Sequence, residues 1–443
     1  MVGNEVSLRG RTSRHRGHRT QVSLSSCTLY KPIPFLVHCT SDDQRTRPNT
    51  TRRHKSQHIV SQNAHSIASS ESRARSPKTW RMLSMAAVVA TFFVSGAASF
   101  AQSSSVTIYG TIDVGPTRVS NIGGSSSNRL DDSISQGNRL GFRGREDLGD
   151  GLEAFFNLEQ GFAADTGTLR QGGIGWGRMS IVGLAHRAYG EVSLGRQFDQ
   201  MSPMLLRFHP AGYAGIYAAA AGDADRVSGN WLNNGITYKS PTISGFRFTA
   251  QYSLKEDGTS TTNAGRAYSL GTSFSTGAFS AAAAVTDIDG YTVRPGASLG
   301  LTQFLGASVT ATSSIVLAKY RTAGVGAGYA VGPVTFNGIV TNTRFENSNG
   351  VSDTLTHFAI PVIYRPSDQW VLEAGFAQSR LDQSRWRNYS LVADYYLSKR
   401  TDVYASANLQ KTTGAGTFAT LVTLSPSSTD SQSALRVGIR HRF

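Results

Sequence analysis

The feature that most constrains this chain is a period-two alternation of apolar and polar residues that recurs about sixteen times after residue 104, with no long amphipathic helix between repeats. It is clearest over residues 138–162, NRLGFRGREDLGDGLEAFFNLEQGF. Leu140 and Phe142 alternate with Arg139, Gly141 and Arg143. Leu152, Ala154, Phe156 and Leu158 alternate with Glu153, Phe155, Asn157 and Glu159. Strand side chains point alternately to two faces, so each arm has one apolar face and one largely polar face. The intervening Asp and Gly residues suit a tight turn. One such hairpin fits a soluble sandwich; the repetition does not.

Two kinds of connection separate the repeats. Residues 147–151, 186–189, 241–245, 366–369 and 398–401 read as short turns, whereas 117–135, 198–233, 255–265, 345–354 and 411–433 read as long polar loops. Short turns at one end and long loops at the other are the pattern of a transmembrane β-barrel. Segments of about 9–11 residues also match a tilted bilayer crossing. The expected fold is all-β: an antiparallel barrel closed on itself, because hydrocarbon cannot satisfy a free strand edge. Strands are expected near 306–318 and 320–330, among others.

The net charge of +15 invites a nucleic-acid reading, but its distribution argues against one. Residues 1–101 hold 15 basic and 4 acidic side chains, which leaves 29 and 25 for residues 102–443. Cys27 and Cys39 also lie in the front segment, so the body has neither a disulfide framework nor a thiolate metal site. Residues 1–77 read as a basic, disordered extension ahead of the true start, with initiation expected at or just before Met82. Residues 78–101 read as a secretory signal: Lys78 and Arg81, an apolar run through Ala98, then Ser99-Phe100-Ala101 with cleavage after Ala101. The apolar run is short for a membrane anchor.

Tyr389, Tyr395, Tyr396, Tyr404, Trp370 and Phe443 fall near segment ends, where amphipathic rings favour the membrane boundary. The last segment sets Leu435, Val437, Ile439 and Phe443 on one face and Arg436, Arg440 and Arg442 on the other. QSSSVTIYGTIDVG, the 138–162 stretch, GEVSLGRQ, NNGITYKSPTISGF, DYYLSKRTDVYAS and the terminal VGIRHRF resemble the general porins of beta-proteobacterial, neisserial type. The resemblance covers residues 102–443. It implies a 16-stranded homotrimeric barrel in the Gram-negative outer membrane, with a constricting loop, residues 198–233, folded into the lumen. It also implies outer-membrane lipid and lipopolysaccharide as surroundings, and a terminal Phe443 read by the assembly machinery. Small hydrophilic solutes and ions would be the cargo.

Such a pore works by passive diffusion, its wall charges setting which ion is favoured. By strand parity Arg139, Arg143 and Arg178 oppose Leu140, Phe142, Met179 and Ile181 and so point into the lumen. They match the arginine cluster such porins carry, with Arg226 as a further candidate. Asp199, Asp223 and Asp225 on the loop would supply the facing negative charge. Arg196 falls in phase with Val192 and Leu194 and receives no pore assignment. A weak anion preference follows; a substrate-specific channel, or an adhesin or receptor on the same barrel, is the alternative. An enzyme lacks support: His186, His209, His357 and His441 sit in no catalytic motif, and Glu153 and Glu159 are about 20 Å apart along a strand. No cofactor, metal or nucleic-acid partner is expected.

Overall fold

The computed structural model describes residues 104–255 and 265–443. The basic extension, the signal segment, both cysteines and most of the 255–265 connection lie outside the described residues.

Sixteen antiparallel strands form one closed sheet: β1 (Ser104–Ile122), β2 (Ser125–Asp132, resuming as Arg139–Gly149), β3 (Leu152–Gly161), β4 (Met179–His186), β5 (Gly190–Phe198), β6 (Trp231–Lys239), β7 (Phe246–Ser253), β8 (Ala267–Thr276), β9 (Phe279–Val293), β10 (Ile315–Val331), β11 (Val334–Asn347), β12 (Ser352–Ser367), β13 (Trp370–Leu381), β14 (Ser384–Tyr396), β15 (Thr401–Thr413) and β16 (Ser431–Arg442). Each strand pairs with its neighbours in sequence. The ring closes where β16 meets β1, with Thr111 opposite Arg442 and Val119 opposite Ala434. The two pieces of β2 pair with successive stretches of β1 and so make one strand. The excursion between them, 133–138, is pinned by Asp113, whose Oδ2 accepts from the Ser135 and Gln136 amides at 2.7 and 2.8 Å.

The alternation read in the sequence is the alternation of the two barrel faces. Val106, Ile108, Val182, Leu184, Val325, Leu391, Leu435 and Val437 are exposed, whereas Thr111, Asp113, Thr237, Thr286, Thr322, Gln410 and Arg436 are buried. Apolar outside and polar inside is the reverse of a water-soluble protein, and it is what a bilayer demands of a barrel. Tyr189, Tyr329, Phe336, Tyr364 and Trp370 are exposed aromatics beside the short turns. Tyr404 does not belong with them. It is buried and faces inward, its hydroxyl 2.6 Å from Asp113 Oδ1.

The short-turn end is uniform, from 150–151 to 397–400, with 240–245 its longest connection. The opposite end is mixed. Long segments at 162–178, 199–230, 294–314 and 414–430 sit beside tight turns at 123–124 and 348–351. Three expectations are therefore corrected, and the first is the long loop at 345–354, where β11 and β12 run on to the short turn 348–351. Residues 117–135 are not a loop: β1 and β2 run on to a turn at Gly123 and Gly124, whose φ values of +60° and +108° suit glycine. Residues 306–318 are not a spanning strand. Residues 306–314 belong to a loop holding a small ribbon, Gln303–Phe304 against Ala307–Ser308, and only 315–318 are strand, the start of β10 at Ile315.

Candidate channel lining and inner loop

On β2 the side chains in phase with buried Thr111 are Arg139 and, two pairs further along, Arg143, so both face inward. Glu159 on β3 is buried and forms the centre of a charged group. Arg178 Nε lies 2.6 Å from Glu159 Oε1, and Arg139 Nε lies 3.6 Å from Oε2. The Tyr109 hydroxyl, from β1, sits 3.0 Å from Glu159 Oε2 and 2.8 Å from Asn157 Oδ1. Arg143 lies over the Tyr109 ring at 5.3 Å. Two guanidinium groups thus share one carboxylate on the wall formed by β1 to β4, and a third, Arg143, stands beside them over the Tyr109 ring.

Arg178 reaches the wall by a route other than strand parity. Met179 pairs with Glu159 and Ile181 with Asn157, so both face inward; Val182 and Leu184 are the exposed apolar residues of β4. Arg178 immediately precedes the strand, and its side chain reaches Glu159 from there. Arg196 lies next to Arg178 but does not pair with Glu159: its Nε donates to the Gly177 carbonyl at 2.7 Å, and the two guanidiniums share the Trp231 ring, at 6.0 Å for Arg196 and 5.5 Å for Arg178. The role of Glu159 was missed because its partners are far away in sequence.

The segment 199–230 lies against the inward face of β8 to β14. It opens with α1 (Met201–Leu205) and continues in single 3-10 turns. Met201, Met204, Leu205 and Phe208 are buried with Ala282, Ala284, Ile339 and Ala359 of the wall. Gly324 and Gly326 on β10 make this approach feasible: a Cβ there would stand 2.8 Å from Leu205 Cδ1 and 2.5 Å from Phe208 Cδ2. Further along, Asn388 Nδ2 donates to the Ala219 carbonyl at 3.0 Å and Ser379 Oγ accepts from the Ala221 amide at 3.1 Å. The apolar stretch 213–221 is this packed face, and Tyr217 reaches across to Asp131 Oδ2 at 2.9 Å.

The loop charges are spent on anchoring. Asp199, Asp225 and Arg226, expected to face the channel, are buried. Arg226 Nε pairs with Asp199 Oδ2 at 2.9 Å, its Nη2 donates to the Thr286 carbonyl, and it stacks 4.4 Å from the Tyr320 ring. Burial pushes the Asp199 carboxyl up to about 6 against the pull of Arg226. Asp225 accepts from Thr341 Oγ1 at 3.0 Å. Asp223 is the partly accessible member, raised by burial and by neighbouring Asp225. On the last strands Arg440 bridges Asp394 and Asp402 at 2.7 and 2.8 Å, and Arg436 pairs with Asp113. These pairs tie the closing strands together.

Two outer loops add apolar packing. Leu299, Leu301, Phe304 and Val309 cluster with Trp386, Tyr320 and Phe345, while Leu421 and Leu424 cluster with Val119, Ile134 and Tyr217. Among the described residues one group also brings three metal-type ligand atoms within 4.8 Å: His209, Asp225 and His357.

A closed barrel with an apolar belt outside, a cationic wall inside and a loop packed opposite that wall defines an outer-membrane barrel protein. The comparisons give the family. A family model for Gram-negative porins matches residues 85–415, and the chain belongs to that family. Outer membrane porin protein 32 of Delftia acidovorans is 29% identical over 372 residues, covering 80% of this chain and 98% of the relative. An outer membrane porin of Bordetella pertussis is 33% identical over 183 residues, covering 38% of this chain and about half, 47%, of that protein. Among solved structures, an anion-selective porin from Comamonas acidovorans has a TM-score of 0.63 at 26% identity, covering 77% of this chain and all of that one. OmpF of Salmonella typhi, 16% identical with a TM-score of 0.54 over 76% of this chain and 97% of its own, shares the fold. The protein is an outer-membrane porin of a Gram-negative bacterium.

Proposed function

We propose that the protein is a general diffusion porin with a weak preference for anions. Hydrated ions and small hydrophilic solutes would follow their gradients through a lumen narrowed by residues 198–233. The observation that carries the preference is the wall opposite that loop, where Arg139 and Arg178 meet the carboxylate of Glu159 and Arg143 lies close by over the Tyr109 ring. Fixed charge of one sign at a narrow, poorly hydrated point raises the local concentration of the opposite ion. The anion selectivity of the Comamonas porin of the same fold supports this reading. With Asp199, Asp225 and Arg226 buried in mutual and wall contacts, the arginine wall carries the selectivity and Asp223 opposes it.

The mature protein would be residues 102–443, released from the signal peptide 78–101. It would assemble as a homotrimer among outer-membrane lipid and lipopolysaccharide, in line with the trimer form described for OmpT of Vibrio cholerae, a barrel of this fold. Phe443 is the proposed assembly signal. Its backbone exchanges hydrogen bonds with Gly110 at 3.0 and 3.1 Å, so the strand offered to the assembly machinery is also the one that closes the ring. Planar-bilayer recording tests the channel reading: stepwise, long-lived openings, often in threes, are expected. A stable barrel without conductance would mean a plugged receptor or adhesin instead.

A further inference from the structure

One arm of the inner loop is fastened to the wall by two histidines. His209 on the loop and His357 on β12 bring their Nε2 atoms to 2.9 Å, and both side chains are buried. The polarity of this bond can be read from its ends. His209 Nδ1 faces the Ala211 amide at 3.1 Å; an N–H can only donate, so Nδ1 carries no proton and the neutral ring holds its proton on Nε2. That proton points at His357 Nε2, which accepts it. The His357 proton is therefore on Nδ1, 2.9 Å from Ser379 Oγ, and Ser379 Oγ also accepts from the Ala221 amide. A hydrogen-bonded chain links loop, wall and loop with both rings neutral, its two arms converging on Ser379 Oγ.

Asp225 completes a group of metal-type ligands. A metal ion would need both Nε2 atoms unprotonated, and hence a proton on His209 Nδ1, where it would collide with the Ala211 N–H. The hydrogen-bond pattern selects a proton instead.

We propose that His209 and His357 form a proton-operated latch that holds residues 206–215 on β12 at neutral pH and releases them in acid. The neutral pair has one proton between two nitrogens. A second proton on His357 Nε2 sets N–H against N–H and turns the bond into a repulsion between donors, and one on His209 Nδ1 meets the Ala211 N–H and breaks the loop's own turn. Facing the pair are Asp225 from the loop, Thr341 from β11 and Ser379 from β13. Beyond them stand Asp223 and the Arg226–Asp199 pair on the loop, and buried Glu373 lower on β13. Asp225 supplies a countercharge for the imidazolium, so the proton is taken up within the site and the His209–His357 bond is what is given up. Burial and the neighbouring His357 hold His209 well below the ordinary histidine value of 6.5. A folded value below the unfolded one means the latch contributes fully above 6.5 and weakens as pH falls through and below it.

The inference rests on residues 198–233 being the loop that narrows the channel, so the test has two readouts. Single-channel current of the purified assembled porin is recorded from about pH 8 to about pH 5, across the histidine range. Amide exchange over residues 206–215 is followed in parallel. Wild type is expected to change conductance state, and to expose residues 206–215, in one transition below pH 6.5. H357Q offers an acceptor that does not titrate and is expected to stay flat in both readouts, whereas E373Q keeps the transition. Exchange that responds without any change in current would sustain the latch and refute the narrowing role. The same transition in H357Q, or none in wild type, would overturn the latch. So would saturable zinc binding at neutral pH that H357Q abolishes.

Discussion

Glu159 sets how much positive charge the arginine wall presents, because Arg139 and Arg178 both converge on it. Replacing it with glutamine adds one net charge to that wall. E159Q is expected to move the zero-current potential further toward chloride, and a shift toward potassium would contradict the assignment. Asp199 plays the opposite kind of part. D199A leaves Arg226 buried without its carboxylate, and loss of one partner of a buried pair costs about 3–5 kcal/mol. The cost falls on loop docking, so proteolysis within residues 199–230 is expected while the barrel stays intact by far-UV circular dichroism. None of this was legible residue by residue. Parity gave Arg139 and Arg143 their face, but a loop aspartate or arginine ordinarily sits in water. Only the contacts with Thr286 and Tyr320, distant in sequence, show why Arg226 does not.

Among the elements, strands were legible and loops were not, for one physical reason. A strand between lipid and a polar lumen writes its environment into every second residue, as Leu435, Val437 and Ile439 alternate with Arg436 and Arg440. A loop has no such period. Residues 306–318 resemble a strand because Val309 and Ile315 pack into the loop's cluster with Leu299 and Phe304 rather than into lipid. The small, apolar stretch 213–221 did signal packing, though not its partners. Phe208 is the largest side chain seated over the β10 glycines. F208A is expected to cost about 3–5 kcal/mol of loop docking, the range for a buried aromatic. Higher conductance and noisier openings are the expected readout; unchanged current would place the loop away from the narrowest point.

At the scale of the molecule the fold has one seam, where β16 meets β1, and the last residue lies on it. Phe443 packs against Gly110 and completes the backbone pairing there. Deleting Phe443 is expected to leave secretion normal and to deplete assembled protein in the outer membrane, read by heat-modifiable migration of membrane fractions. The remaining architecture sets loop and arginine wall on opposite sides of one lumen, and in the proposed function that opposition gives the channel its sign. The zero-current potential of the wild-type channel under a potassium chloride gradient, compared with R139Q/R178Q, tests this most directly. A chloride-leaning potential that the double variant moves toward potassium is expected. A potassium-leaning wild type, or a double variant with unaltered selectivity, would show that the charges at the narrowest point lie elsewhere.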